Sequence, residues 1–171
     1  MDDRSITITL RLIHILAGIF WVGTAFLLAG FLLPTLRETG REGARFMQHL
    51  MQQRRLQLFL GTAMLFTILS GIAMYARVTA ATHGTWAGTT QGIAYGIGGA
   101  AAIFGAAAGA VISGSAGRRM AALGASVGAG GPSPEQQLEI ARLQGRMALG
   151  TRLSAALLAV AAGSMAVARY L

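Results

Sequence analysis

Residues Leu12 to Pro34 read LIHILAGIFWVGTAFLLAGFLLP, and the 22 residues ahead of the proline hold no acidic side chain, no arginine and a single histidine. At about 1.5 Å per residue such a run is long enough to cross a hydrocarbon core of roughly 30 Å. It predicts a membrane-spanning helix, and the rest of the chain is organised around it. The one ionisable group inside it is His14; Gly18, Trp21 and Ala25 follow one, two and three turns along the same face. An imidazole above small residues is an arrangement that accepts a flat ligand.

Composition extends that reading to the whole chain. Of 171 residues, 54% are hydrophobic and 12% charged, and the mean hydropathy is +0.57, which predicts an all-α integral membrane protein forming a single domain over residues 1–171. All 14 basic residues are arginine, so mechanisms built on a Schiff-base or general-base lysine are excluded. The six acids, Asp2, Asp3, Glu38, Glu42, Glu135 and Glu139, all lie outside the apolar runs, which argues against a carboxylate proton relay. Without cysteine there are no disulfides, no iron–sulfur cluster, no thiolate ligand and no covalently attached c-type haem. The sequence pI of about 11.6 would fit nucleic acid, but the arginines gather at the ends of apolar runs, where they orient helices and meet anionic lipid. No nucleic-acid partner is expected.

Four apolar segments, at about 12–33, 56–76, 91–116 and 147–168, predict a four-helix bundle with both termini on one side. Nine arginines fall in the connections 34–55 and 117–146, four on the opposite side, and Arg152 inside the fourth span. The positive-inside rule then places both connections in the cytoplasm and both termini outside, in a multi-pass protein of the bacterial inner membrane. The acidic start and the length of the first apolar run are not those of a cleavable signal peptide. The pairs Glu38/Arg41 and Glu42/Arg45, with Phe46, Leu50 and Met51 at helical spacing, predict one second helix from about 41 to 76 whose first turns project into the cytoplasm. The fourth helix projects likewise: Ser133, Pro134 and Gln136 form an N-cap, N1-proline and capping-box pattern starting a helix that runs to about 169. The connection of about 117–132, with GASVGAGGP at 124–132, reads as flexible.

The third segment is rich in glycine (Gly92, Gly96, Gly99, Gly105, Gly109), and Ala155, Ala159 and Gly163 offer a matching stripe on the fourth. Small residues let helices approach closely in lipid. The pattern predicts tight packing of these two helices, with a homo-oligomer or redox-partner face on the third as the other reading. A faint echo between Ser70–Arg77 and Ala162–Arg169 raises the option of two helical hairpins in parallel repeat.

His14 has two readings: an axial ligand of haem iron, or a histidine hydrogen-bonded to a neighbouring helix. Its height decides its companions. With membrane boundaries at Leu33 and Arg55, it stands roughly 28 Å above the inner edge, where Met74, Met165 and His83 are the candidate second ligands. If the first two helices instead meet in a tight turn near Arg37, it lies opposite Gly61 and His83 drops out. His49 reads as a headgroup-level side chain and Arg54 and Arg55 as anchors, while Arg11, one turn before His14, is placed to pair with a haem propionate.

The stretch His14-Ile-Leu-Ala-Gly-Ile-Phe-Trp21-Val-Gly23, followed by an apolar run to Pro34, resembles the first helix of the copper-resistance-D-like membrane proteins. Met51-Gln-Gln-Arg54-Arg55-Leu56, leading into a span that ends at Gly71, resembles the second helix of HemJ-type protoporphyrinogen oxidases. The resemblance covers roughly residues 10–77 and implies a four-helix unit with His14 as a b-type haem ligand. It departs in lacking the intramembrane lysine of the HemJ type and in the distance from Trp21 to Pro34, which argues against porphyrinogen oxidation. The expectation is a membrane b-type haem protein in electron transfer or haem-dependent redox chemistry, its pocket formed by Gly18, Trp21, Ala25 and Gly61. The alternatives are a copper-handling protein using His14 with Met64, Met74 or Met165, and a non-catalytic assembly subunit.

Overall fold

A computed structural model describes residues 3–127 and 131–171. The chain runs through α1 (Asp3–Glu38), a short α2 (Arg41–Gln48), then α3 (Leu56–Ala81), α4 (Thr90–Ser126) and α5 (Pro134–Ala168). All but α2 are long and apolar enough to cross a membrane. The expected all-α four-helix bundle is therefore the architecture observed.

The bundle is inside-out by the standards of a water-soluble protein. Its centre is Trp21 and Leu158 among Ala25, Ala63, Ala101, Ala102, Ala155 and Ala161. Leu16, Ile19, Phe31, Leu58, Phe59, Phe104 and Val111 stand exposed on the outside. In water these side chains would be driven inward. In lipid the hydrocarbon tails are as apolar as leucine, so close contact between small residues decides which faces turn in.

The helices pair as two antiparallel hairpins, α1 with α3 and α4 with α5, joined where α1 meets α5 and α3 meets α4. The α4–α5 seam is the closer. A Cβ added to Gly98 would lie 2.9 Å from Met165 Cγ and 3.2 Å from the Ala161 carbonyl oxygen, and one added to Gly105 would lie 3.4 Å from Leu158 and from the Ser154 carbonyl oxygen. Ser113 Oγ donates to the Met147 carbonyl at 3.0 Å and lies 3.1 Å from Thr151 Oγ1, while Ser164 Oγ donates to the Ala94 carbonyl at 2.6 Å. The predicted contact between third and fourth helices is observed, but the stripe differs. Ala155 is buried with Leu158 and Ala161, Ala159 is exposed, and Gly99 and Gly163 face open space. The sequence echo is likewise not an echo in packing, since Gly71 lies against His14 and its counterpart Gly163 against nothing.

Two boundaries depart from expectation. The second helix is not continuous from 41 to 76: α2 passes into a wide π turn at His49–Gln53, the chain breaks at Arg54 and Arg55, and Arg55 takes a left-handed conformation with φ +52° before α3 begins. Helical spacing of Phe46, Leu50 and Met51 is a local signal and carries no information on whether two helices are collinear. The connection expected from 117 starts later, because α4 continues to Ser126 through an alanine-rich stretch of strong helix formers. The flexible segment predicted there includes residues 128–130, which lie outside the described residues. The capping box forms as predicted: Ser133 Oγ accepts from the Gln136 amide at 3.3 Å and the Gln136 side chain accepts from the Ser133 amide at 2.9 Å.

Candidate functional site around His14

His14 sits half-buried on the face of α1 that packs against α3. Its Nδ1 lies 2.8 Å from the Thr67 carbonyl oxygen. A carbonyl oxygen only accepts, so Nδ1 carries the hydrogen, and in the neutral ring Nε2 keeps its lone pair. Ser70 Oγ, 3.3 Å from the same nitrogen, donates its own hydrogen to the Phe66 carbonyl at 2.5 Å and so takes only a secondary share of Nδ1–H. A main-chain carbonyl of this kind fixes both ring orientation and tautomer.

The approach depends on Gly71. A Cβ there would lie 2.9 Å from His14 Cε1 and 3.2 Å from Nδ1, against 3.9 Å from Nε2. The imidazole therefore rests its Cε1–Nδ1 edge on the α3 backbone and keeps Nε2 as the ring nitrogen further from it. Thr67 holds the neighbouring turn in place: its hydroxyl donates to the Ala63 carbonyl at 2.8 Å, and its methyl faces Gly18, where a Cβ would be 3.6 Å away.

Trp21 and Ala25 belong to the bundle core, so the face below His14 is filled by protein and forms no open slot along Gly18, Trp21 and Ala25. Gly61 is exposed, and a Cβ added to it would meet nothing within 4 Å. Because His14 pairs with Thr67 and Gly71, Gly61 is displaced along α3 by about 9 Å from the first and about 15 Å from the second, measured by helix rise. The tight-turn geometry that set His14 opposite Gly61 is thereby corrected. Arg11 is exposed one turn away on α1.

The second-ligand candidates separate by height. Met74 is half-buried on α3, three residues beyond Gly71, or about 4.5 Å along the helix. Trp21 and Ala25 share a core with Ala155, Leu158 and Ala161, and Arg37 donates to the Gln144 carbonyl at 3.0 Å. This register of α1 on α5 puts Met165 within about one turn of His14 in height. Its side chain packs against Gly98. His83 follows the end of α3, exposed and at φ +50°, more than about 15 Å beyond Gly71 by helix rise. His49 lies on the π turn at the opposite end of the bundle. Among the described residues there is no cluster of three or more His, Cys, Asp or Glu side chains able to hold a metal ion.

Sequence reasoning missed the aromatic group at the His83 end of the bundle. Tyr75 and Trp86 meet edge to face at 5.2 Å, Tyr95 lies 6.0 Å from Trp86, and Trp86 Nε1 donates to Gln91 Oε1 at 3.0 Å. Tyrosine and tryptophan flanking apolar spans are the signal that identifies such an interfacial girdle. Arg77 pairs with Asp3 at the same end. No protein-family model, curated protein or solved structure matches this chain, so functional reading rests on this geometry.

Proposed function

We propose that this integral membrane helical protein is a b-type haem protein in which His14 Nε2 is the axial donor to iron. The observation that carries the reading is the Nδ1–H bond to the Thr67 carbonyl, which leaves Nε2 as the free donor in the tautomer that histidine ligands commonly adopt. The burial of Trp21 and Ala25 in the core argues against a porphyrin lying over Gly18, Trp21 and Ala25. The ligand must approach His14 from the side away from Gly71, with Arg11 available for an acidic substituent. Bound haem would supply one-electron redox chemistry. The chain's own part is to hold the imidazole, set its tautomer and exclude water from the α1–α3 contact. The arginine asymmetry supports a bacterial inner membrane with termini outside.

The test is the visible spectrum of detergent-purified protein, oxidised and dithionite-reduced, expressed with haem supplied. Wild type is expected to show a Soret band with sharp reduced α and β bands, and His14→Ala to lose them. A colourless wild type, or a His14→Ala spectrum identical to wild type, overturns the proposal. A second reading, Cu(I) bound by His14 with thioether sulfur, is favoured by the proximity in height of Met74 and Met165 and by the affinity of imidazole and thioether for that ion. It predicts one tightly held copper in haem-free protein, lost in His14→Ala.

A further inference from the structure

The short helix between the first two spans belongs to no part of the His14 site, and its chemistry points elsewhere. α2 folds back on the last turns of α1 through the Thr39–Gly40 turn, with Gly40 at φ +55°. Gly43 is buried there, in a spot where a Cβ would lie 2.8 Å from the Leu36 carbonyl oxygen. Beyond α1 and the π turn that follows it, α2 makes no substantial packing contact with any other helix among the described residues. It hangs at the side of the bundle.

Its two faces are opposite in character. Leu32, Leu36, Gly43 and Phe46, with Glu42 and two threonines at its rim, line a shallow, largely apolar depression between α1 and α2, and Phe46 is 54% exposed. Arg45, Gln48, His49 and Gln52 line a polar one on the other side. Between residues 37 and 55 the sequence has five arginines against two glutamates, so the segment is cationic. The surface level of the bilayer is marked where α3 begins: Arg54 and Arg55 just ahead of it are exposed, and Leu58 and Phe59 stand 60% exposed on the outside of the bundle, as suits a surface facing hydrocarbon. The π turn touches the start of α3, which brings α2 within the headgroup layer. An amphipathic helix with a cationic face and an exposed phenylalanine at that height has the chemistry of a segment that meets the headgroup layer.

We propose that α2 is an interfacial anchor that binds anionic phospholipid of the leaflet at the arginine-rich end, with Phe46 and Leu50 sunk at the acyl boundary and Arg45, Arg54 and Arg55 on phosphate groups. Each basic side chain near an anionic surface adds attraction that salt screens. The inference is independent of the His14 reading.

The chain has no cysteine, so a single Phe46→Cys or Gln48→Cys substitution carries a nitroxide at one known place. The experiment is power-saturation electron spin resonance in vesicles of phosphatidylcholine with and without phosphatidylglycerol, with oxygen as the lipid-soluble collider and a nickel chelate as the aqueous one. With phosphatidylglycerol, the label at 46 is expected to collide more with oxygen and the label at 48 more with nickel. The oxygen preference at 46 falls in phosphatidylcholine alone and in the Arg45→Gln/Arg54→Gln background. Met47→Cys supplies a second apolar-face site should Phe46→Cys fail to fold. Greater collision with nickel at 46, or protection from both colliders as under a second protein surface, overturns the proposal. An oxygen preference at 46 that is indifferent to phosphatidylglycerol overturns its electrostatic part.

Discussion

In the α4–α5 hairpin the two backbones meet through glycine: Gly98 lies under Met165 and Ala161, and Gly150 under Ile112 and Ser113. In the α1–α3 hairpin they meet through a histidine seated on glycine, His14 on Gly71. Both seams need a missing Cβ, but for different reasons. On α4–α5 the glycine makes room for backbone and hydrocarbon, so its replacement costs packing. On α1–α3 it makes room for a polar ring whose second nitrogen is left over, so its replacement also costs chemistry.

The comparison breaks most visibly at Gly150. A Cβ there would lie 2.5 Å from Ser113 Oγ and 2.8 Å from Ile112 Cβ, so Gly150→Leu is expected to abolish the monodisperse folded peak in detergent size exclusion. Gly150→Ala is expected to destabilise by about 1–3 kcal/mol, the usual range for overpacking. Gly163→Ala, facing open space on the same helix, is expected to leave the melting temperature unchanged; an equal loss at both positions would contradict the assigned seam.

Gly71→Ala comes next. Its methyl displaces His14 and lengthens or breaks the bond to the Thr67 carbonyl, with a stability loss of about 0.6–1.7 kcal/mol, the range of interhelical hydrogen bonds in membranes. The altered environment of His14 is expected to appear in its ring chemical shifts, while Gly61→Ala leaves them as they are. Ser133→Ala removes the hydroxyl that caps α5 and is expected to cost about 1 kcal/mol, measured by hydrogen exchange and confined to the first turns after Pro134. Smallest is Arg77→Gln. Its partner Asp3 is exposed, so the expected change is about 0–1 kcal/mol and should vanish at high salt.

What the sequence made legible follows from which signals are local. Uninterrupted apolar length identified the four spans, and Ser133-Pro134-Glu135-Gln136 announced the start of α5, because a cap is made by residues three apart. The break at Arg54–Arg55 was hidden, since two helices in different directions show the same periodicity as one. Trp21 and Ala25 share the face of His14, which suggested a pocket wall. That face is closed by Ala63 and the α5 residues Ala155 and Leu158, a fact of helix placement that no single-helix pattern contains. The nearness of Gly71 to His14 depended on the register of α1 against α3, which sequence spacing left open between two geometries.

Nε2 of His14 as the free donor is the claim on which the functional reading stands. The most direct measurement is nitrogen-15 NMR of protein labelled at its three histidines, without haem or copper, at a pH where the imidazoles are neutral. The His14 signals, assigned by their loss in His14→Ala, are expected to show hydrogen on Nδ1 and none on Nε2. Hydrogen on Nε2, with Nδ1 bare, would contradict the bond to Thr67 and with it the assignment of His14 as a ligand through Nε2.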